Sequence, residues 1–168
     1  MTPEQATFLA TQFADLMTRE ARTTAKVLRA VPDSGRDYRP DPRSRSAWEL
    51  ATHIAQSDVW FLDCIIAGAF ASDGAKGKAL LDSFATIADV VAFHEREVPA
   101  RLAAVRAMSG EALAASVSFF GMIEAPNATY LGLANNHGIH HRGQLAAYLR
   151  AMGSTVPALY GESADEKM

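Results

Sequence analysis

The chain has 168 residues, 49% of them hydrophobic and 21% charged, and a net charge of −3 from 16 basic and 19 acidic side chains. That balance fits one domain with one core over residues 1–168 and excludes a disordered chain. It also excludes a basic face for nucleic acid: lysine and arginine form no cluster, and Arg43 and Arg45 stand isolated among serines.

The single cysteine, Cys64, rules out an internal disulfide. A free thiol without a secretory leader points to a reducing cytoplasm. The N-terminus, Met1-Thr2-Pro3-Glu4-Gln5, has neither a basic start nor an apolar block, so no signal peptide is expected. The longest apolar stretch, Val59 to Ala71, is short and interrupted by Asp63, so no membrane span is expected.

Long helical patterns alternate with Gly, Pro and Asp clusters. The first helix is expected over residues 3–30, with Thr2 as cap, Pro3 at the first position and Gln5 completing a capping box. Phe8, Leu9, Phe13, Leu16, Met17 and Val27 give it an apolar face. The connection from Val31 to Arg45 carries Pro32, Pro40 and Pro42, and its length predicts a crossover. A second helix is expected over 47–70, opened by the Ser46/Glu49 capping box. A third is expected over 87–108, capped by Thr86 with Asp89 at the third position, and Pro99 is expected to kink or split it. Residues 116–126 read as a loop or extended strip, and no strand pairing is evident. The fourth helix is expected to start after Asn127 and stop at Gly153, followed by an irregular tail. The fold class is therefore all-α, a four-helix bundle.

Three of the five histidines lie in the string His137-Gly138-Ile139-His140-His141. His137 and His141 are one helical turn apart and project from one face, so two imidazoles can converge on one metal ion. His140 points about 100° away from His141. His53, mid-helix on the second helix, is the natural third ligand, because central positions of two bundle helices can face each other. His94, beside Glu95, Arg96 and Glu97, reads as part of a solvated face; with Glu97 it is a lesser candidate metal pair. Cys64 lies about 16 Å along the helix from His53 and reads as a core thiol. Trp48 and Trp60 read as packing residues, Tyr130 and Tyr160 as candidate pocket walls, and Arg142 as an ion-pair or dimer-contact residue. Glu49, Gln56, Asn136 and Gln144 are candidate hydrogen-bond partners of the histidines.

The run His137-Gly138-Ile139-His140-His141-Arg142-Gly143-Gln144-Leu145 resembles the helix-four signature of DinB-like proteins. So does its continuation, Tyr148-Leu149-Arg150-Ala151-Met152-Gly153 and Val156-Pro157-Ala158-Leu159-Tyr160-Gly161. Trp48-Glu49-Leu50-Ala51-Thr52-His53-Ile54-Ala55 resembles the family's helix-two motif. The resemblance implies a four-helix bundle with long crossover connections, often a homodimer. It implies a divalent metal, commonly zinc or nickel, held by His53, His137 and His141. It further implies relatives that include thiol-dependent transferases and isomerases.

A neutral three-imidazole site favours an anionic further ligand, so a metal there makes a thiol or water nucleophilic at neutral pH. The expected function is a metal-dependent transferase using a low-molecular-weight thiol, or a hydrolase in which the metal activates water. The alternative is a non-catalytic metal-containing stress or binding protein. The expected partners are a small-molecule substrate or thiol cosubstrate, with neither nucleic acid nor membrane, and a second copy of the chain. No general acid or base is identifiable from the sequence.

Overall fold

The computed structural model describes residues 1–167. Four long helices form the bundle: α1 (Pro3–Arg29), α2 (Ala47–Ala67), α4 (Ile87–Arg106) and α6 (Tyr130–Tyr148). Two short helices, α3 (Gly74–Asp82) and α5 (Gly110–Ala114), and a two-stranded hairpin, β1 (Ser116–Phe119) and β2 (Ile123–Pro126), fill the connections. The expected caps form as local chemistry dictates: Thr2 with Gln5, Ser46 with Glu49 and Thr86 with Asp89 each close a capping box. α2 ends earlier than its apolar pattern implies. Gly68, at φ 67°, takes up the left-handed C-cap that a side chain would resist. Gly153, at φ 76°, closes the single turn Arg150–Met152 that follows α6.

Among the four long helices, α1 packs on α4 and α6, and α2 packs on α4 and α6. α1 and α2 therefore stand at opposite corners, and the proline-bearing connection between them crosses the bundle. The segment between α4 and α6 crosses likewise. α2 and α6 run antiparallel. Leu50 and Ile54 near the start of α2 cluster with Leu145 and Leu149 near the end of α6. At the other end Leu62 and Ile65 cluster with Leu131 and Ala134, and the Asn127 side-chain amide donates to the Ile65 carbonyl at 2.7 Å.

Of the two outcomes expected at Pro99, kink or split, the split does not occur: α4 continues through it as one element. Pro99 and Glu95 are both exposed, so water can satisfy the carbonyl that proline leaves unpaired. Residues 116–126 do contain a strand pair, with Val117 opposite Ala125 and Phe119 opposite Ile123. The turn uses Phe120 at φ 51° followed by Gly121 at φ 73°. Such a tight reversal needs left-handed backbone, which glycine adopts freely and phenylalanine seldom does.

The apolar core is two clusters and not one. Between them lies a layer of buried polar groups: Thr24 on α1, Asp58 on α2, His94 on α4, and Asn135 and Arg142 on α6. Arg142 is 1% exposed and pairs with Glu20 at 2.6 Å; it also donates to the Glu20 carbonyl, to Thr24 Oγ1 and to the Tyr160 hydroxyl. Burying a guanidinium is tolerated only where its donors are met, and here they are. Tyr160 donates onward to Glu20 at 2.7 Å, so the tail is tied to α1 through this pair. Arg142 is thus an internal ion-pair residue.

A candidate metal centre between two helices

His53 on α2 meets His137 and His141 on α6. The ring centroids lie 5.1 Å apart for His53 and His137, 4.5 Å for His53 and His141, and 4.5 Å for His137 and His141. One ligand atom from each ring falls within 4.8 Å of the others. The local geometry follows from the sequence: one turn of α6 stacks two imidazoles, and the antiparallel neighbour supplies a third at their midpoint.

The helices approach closely because residue 138 is glycine. A Cβ there would lie 2.9 Å from Asp58 Oδ1, a distance real Cβ atoms essentially never show. Asp58 Oδ2 in turn accepts a hydrogen bond from His94 Nε2 at 3.1 Å. His94 is completely buried, which corrects its reading as part of a solvated face; it is paired with Asp58, and Glu97 with Arg96 and Arg101. His94 sits in the buried stripe Ile87, Val91, His94, Val98, Leu102 and Val105, and that periodicity outweighs its charged sequence neighbours.

The three imidazoles are held neutral. Burial pushes His53 down to about 3, helped by the positive charge of Arg45 and by the other two histidines. Burial also lowers His137, with His141 adding to the effect, and lowers His141, partly opposed by its hydrogen bond to Gln144. The Gln144 amide oxygen lies 2.8 Å from His141 Nδ1, so that nitrogen donates and Nε2 keeps the free lone pair. His137 Nδ1 is buried and finds no hydrogen-bond partner. His137 also packs against the Phe61 ring at 5.2 Å. Three unprotonated imidazoles facing one another, with no donor to satisfy their lone pairs, are a donor set that suits a divalent metal.

His140 is exposed and stands outside the cluster, as its angular displacement predicts. Of the candidate supporting residues, Gln144 touches a histidine of the cluster. Glu49 is taken up by the Ser46 cap and by Arg39 at 3.6 Å. Neither tyrosine lines the cluster: the Tyr130 hydroxyl donates to Val117 O at 2.8 Å, and Tyr160 belongs to the Arg142 pair. Cys64 is buried, and burial raises its thiol pKa. Trp48 lies under Arg36, and Trp60 joins an aromatic cluster with Phe61, Phe70 and Phe120. Sequence reasoning missed Phe61 at the site: its ring packs on His137 across the helix pair, a contact only the folded chain brings about.

No helix among the described residues is long and apolar enough to cross a membrane. Among solved structures, the chain is similar to a DinB-like protein of Bacillus subtilis (YjoA), with a TM-score of 0.68 and 24% identity, covering 94% of this chain and 99% of that one. A DinB-like protein of Bacillus cereus gives a TM-score of 0.72 at 24% identity, covering 88% of this chain and 95% of that one. A mutant of a mycothiol-dependent maleylpyruvate isomerase is a more distant fold neighbour: TM-score 0.51, 13% identity, 94% of this chain and 63% of that one. By sequence, 50 residues are 38% identical to the uncharacterized protein YrdA of Bacillus subtilis, a stretch that makes up 30% of this chain and 29% of that protein. Residues 4–167 match the description of the DinB family from end to end, and with the bundle and its histidine cluster in place the chain belongs to that family.

Proposed function

We propose that the protein binds one divalent metal ion, zinc or nickel, through His53, His137 and His141, and acts as a transferase that uses a low-molecular-weight thiol. The observation that carries this reading is the convergence of three neutral imidazoles from two helices, with ligand atoms within 4.8 Å. The fold likeness to a mycothiol-dependent isomerase supports the thiol as cosubstrate.

A bound zinc or nickel ion supplies Lewis acidity, lowering the pKa of a thiol or water brought to it. The protein's own residues prepare that chemistry. Burial keeps the imidazoles unprotonated near neutral pH, so they are ready to ligate. Gln144 fixes the tautomer and orientation of His141. Phe61 shields one side of His137 from water. Three protein ligands leave coordination positions open to a substrate, as catalytic sites do and closed structural sites do not.

The test is cobalt substitution followed by thiol titration. The expected result is one metal equivalent per chain and a change in the cobalt spectrum on adding thiol. Metal analysis showing no retained ion after loading overturns the metal reading. A loaded protein whose spectrum ignores thiol overturns the transferase reading and leaves a non-catalytic metal protein.

A further inference from the structure

We propose that the centre of the bundle binds one water molecule, held by Thr24 on α1, Asp58 on α2 and Asn135 on α6, and that this water joins the Asp58–His94 pair to the Arg142–Glu20 pair. None of the three holding residues belongs to the histidine cluster, so the site stands whether or not a metal binds there.

Asn135 is the residue that calls for a ligand. It is 7% exposed, and its amide oxygen finds no hydrogen-bond partner among the described residues. Native proteins rarely leave a buried amide unpaired, because nothing then offsets its desolvation. Asn135 lines a small internal space that Thr24, Asp58 and Gly138 also line. Asp58 gives Oδ2 to His94 at 3.1 Å, and its other oxygen lies against Gly138. Without a Cβ at residue 138, that oxygen stays uncovered on the α6 side. Thr24 Oγ1 accepts from Arg142 at 3.3 Å, and its own O–H remains a donor. Two acceptors and one donor, from three helices, thus border one space.

Size and charge select the ligand. The space measures about 20 Å³. A water molecule needs about 10–15 Å³ and two to four polar partners, so water fits and an organic ligand does not. Glu20 and Asp58 both line the space and would repel an anion. The Arg142 guanidinium, 2.6 Å from Glu20, already supplies the cation of this layer. A neutral molecule that donates two hydrogen bonds and accepts one meets all three groups. On α6, Gly138 and Arg142 directly follow His137 and His141. The network therefore fixes the inner side of the turn whose other side carries two imidazoles.

Oxygen-17 magnetic relaxation dispersion, which counts long-lived internal waters, tests this on the full chain. Asn135→Leu keeps the branching of the side chain and removes its polar atoms. It is expected to lower the count by one. It is also expected to lower the melting temperature by about 2–4 °C, because Asp58 Oδ1 loses the water that met it. An unchanged count overturns the proposal. So does a higher melting temperature, which would show that the parent buries an amide with no water on it. Melts of the parent at fixed ionic strength in lithium, sodium and potassium chloride separate water from a cation. The same melting temperature in all three is expected, and one that follows a particular cation overturns water as the ligand. Should Asn135→Leu fail to fold, a crystal structure of the unaltered protein decides. Density within hydrogen-bond distance of both Asp58 Oδ1 and Asn135 supports the site, and its absence overturns it.

Discussion

His141 Nδ1 and Gln144 Oε1 lie 2.8 Å apart on consecutive turns of α6. The bond decides which ring nitrogen keeps its lone pair, and such outer partners commonly set metal affinity by a factor of about 10 to 100. Gln144→Ala is therefore expected to weaken zinc binding by about that factor, measured by competition with a chromophoric chelator. Gln144→Glu keeps an acceptor in place and is expected to hold zinc at least as well as the parent. Gln144 is exposed, so neither variant should alter the melting temperature of the metal-free protein.

The histidine cluster also makes stability depend on pH. In the unfolded chain His53 titrates near its ordinary value of 6.5, whereas in the folded chain it is pushed down to about 3. Above pH 6.5 it is neutral in both states and contributes no pH dependence. Between about 6.5 and 3 the unfolded chain takes up a proton that the native chain refuses, so stability falls as pH falls. His137 and His141 are lowered too and act in the same direction. The melting temperature of chelator-treated protein is expected to drop across that window, and His53→Gln is expected to flatten the drop. A profile that His53→Gln leaves unchanged would show that His53 is not the group responsible.

Gly138 is a packing requirement of the α2–α6 contact. Gly138→Ala is expected to cost about 1–3 kcal/mol in urea unfolding, because its methyl meets Asp58 Oδ1 at 2.9 Å. Asp58→Ala removes the obstruction and also strips His94 of its one hydrogen-bond partner. The double variant is expected to be more stable than the sum of the two losses predicts, since the clash is counted once only when Asp58 is present. Additive losses would show that the two residues do not share this contact.

Much of this was legible before the coordinates. Helix starts were readable because Thr2, Ser46 and Thr86 each act within three residues of themselves. The His137/His141 pair was readable because helical geometry alone places them together. His53 required a tertiary guess, and the family resemblance narrowed it. His94 was misread from its immediate neighbours, although Ile87, Val91, Val98 and Leu102 at helical spacing place it on the buried side. The hairpin was left unpaired because four residue pairs around an unusual Phe120 turn carry little periodic signal. The buried layer of Thr24, Asp58, Asn135 and Arg142 depends on contacts between distant segments, and no local pattern reports those.

Because both crossing connections put sequence neighbours at opposite corners, the helix bearing His53 meets its histidine-bearing partner only when the last long helix docks. A growing or partly folded chain holds the His137/His141 pair without the third ring, and holds His53 without either. The complete triad therefore exists only in the assembled bundle, and an ion retained by all three rings would be a signature of chains that have finished folding.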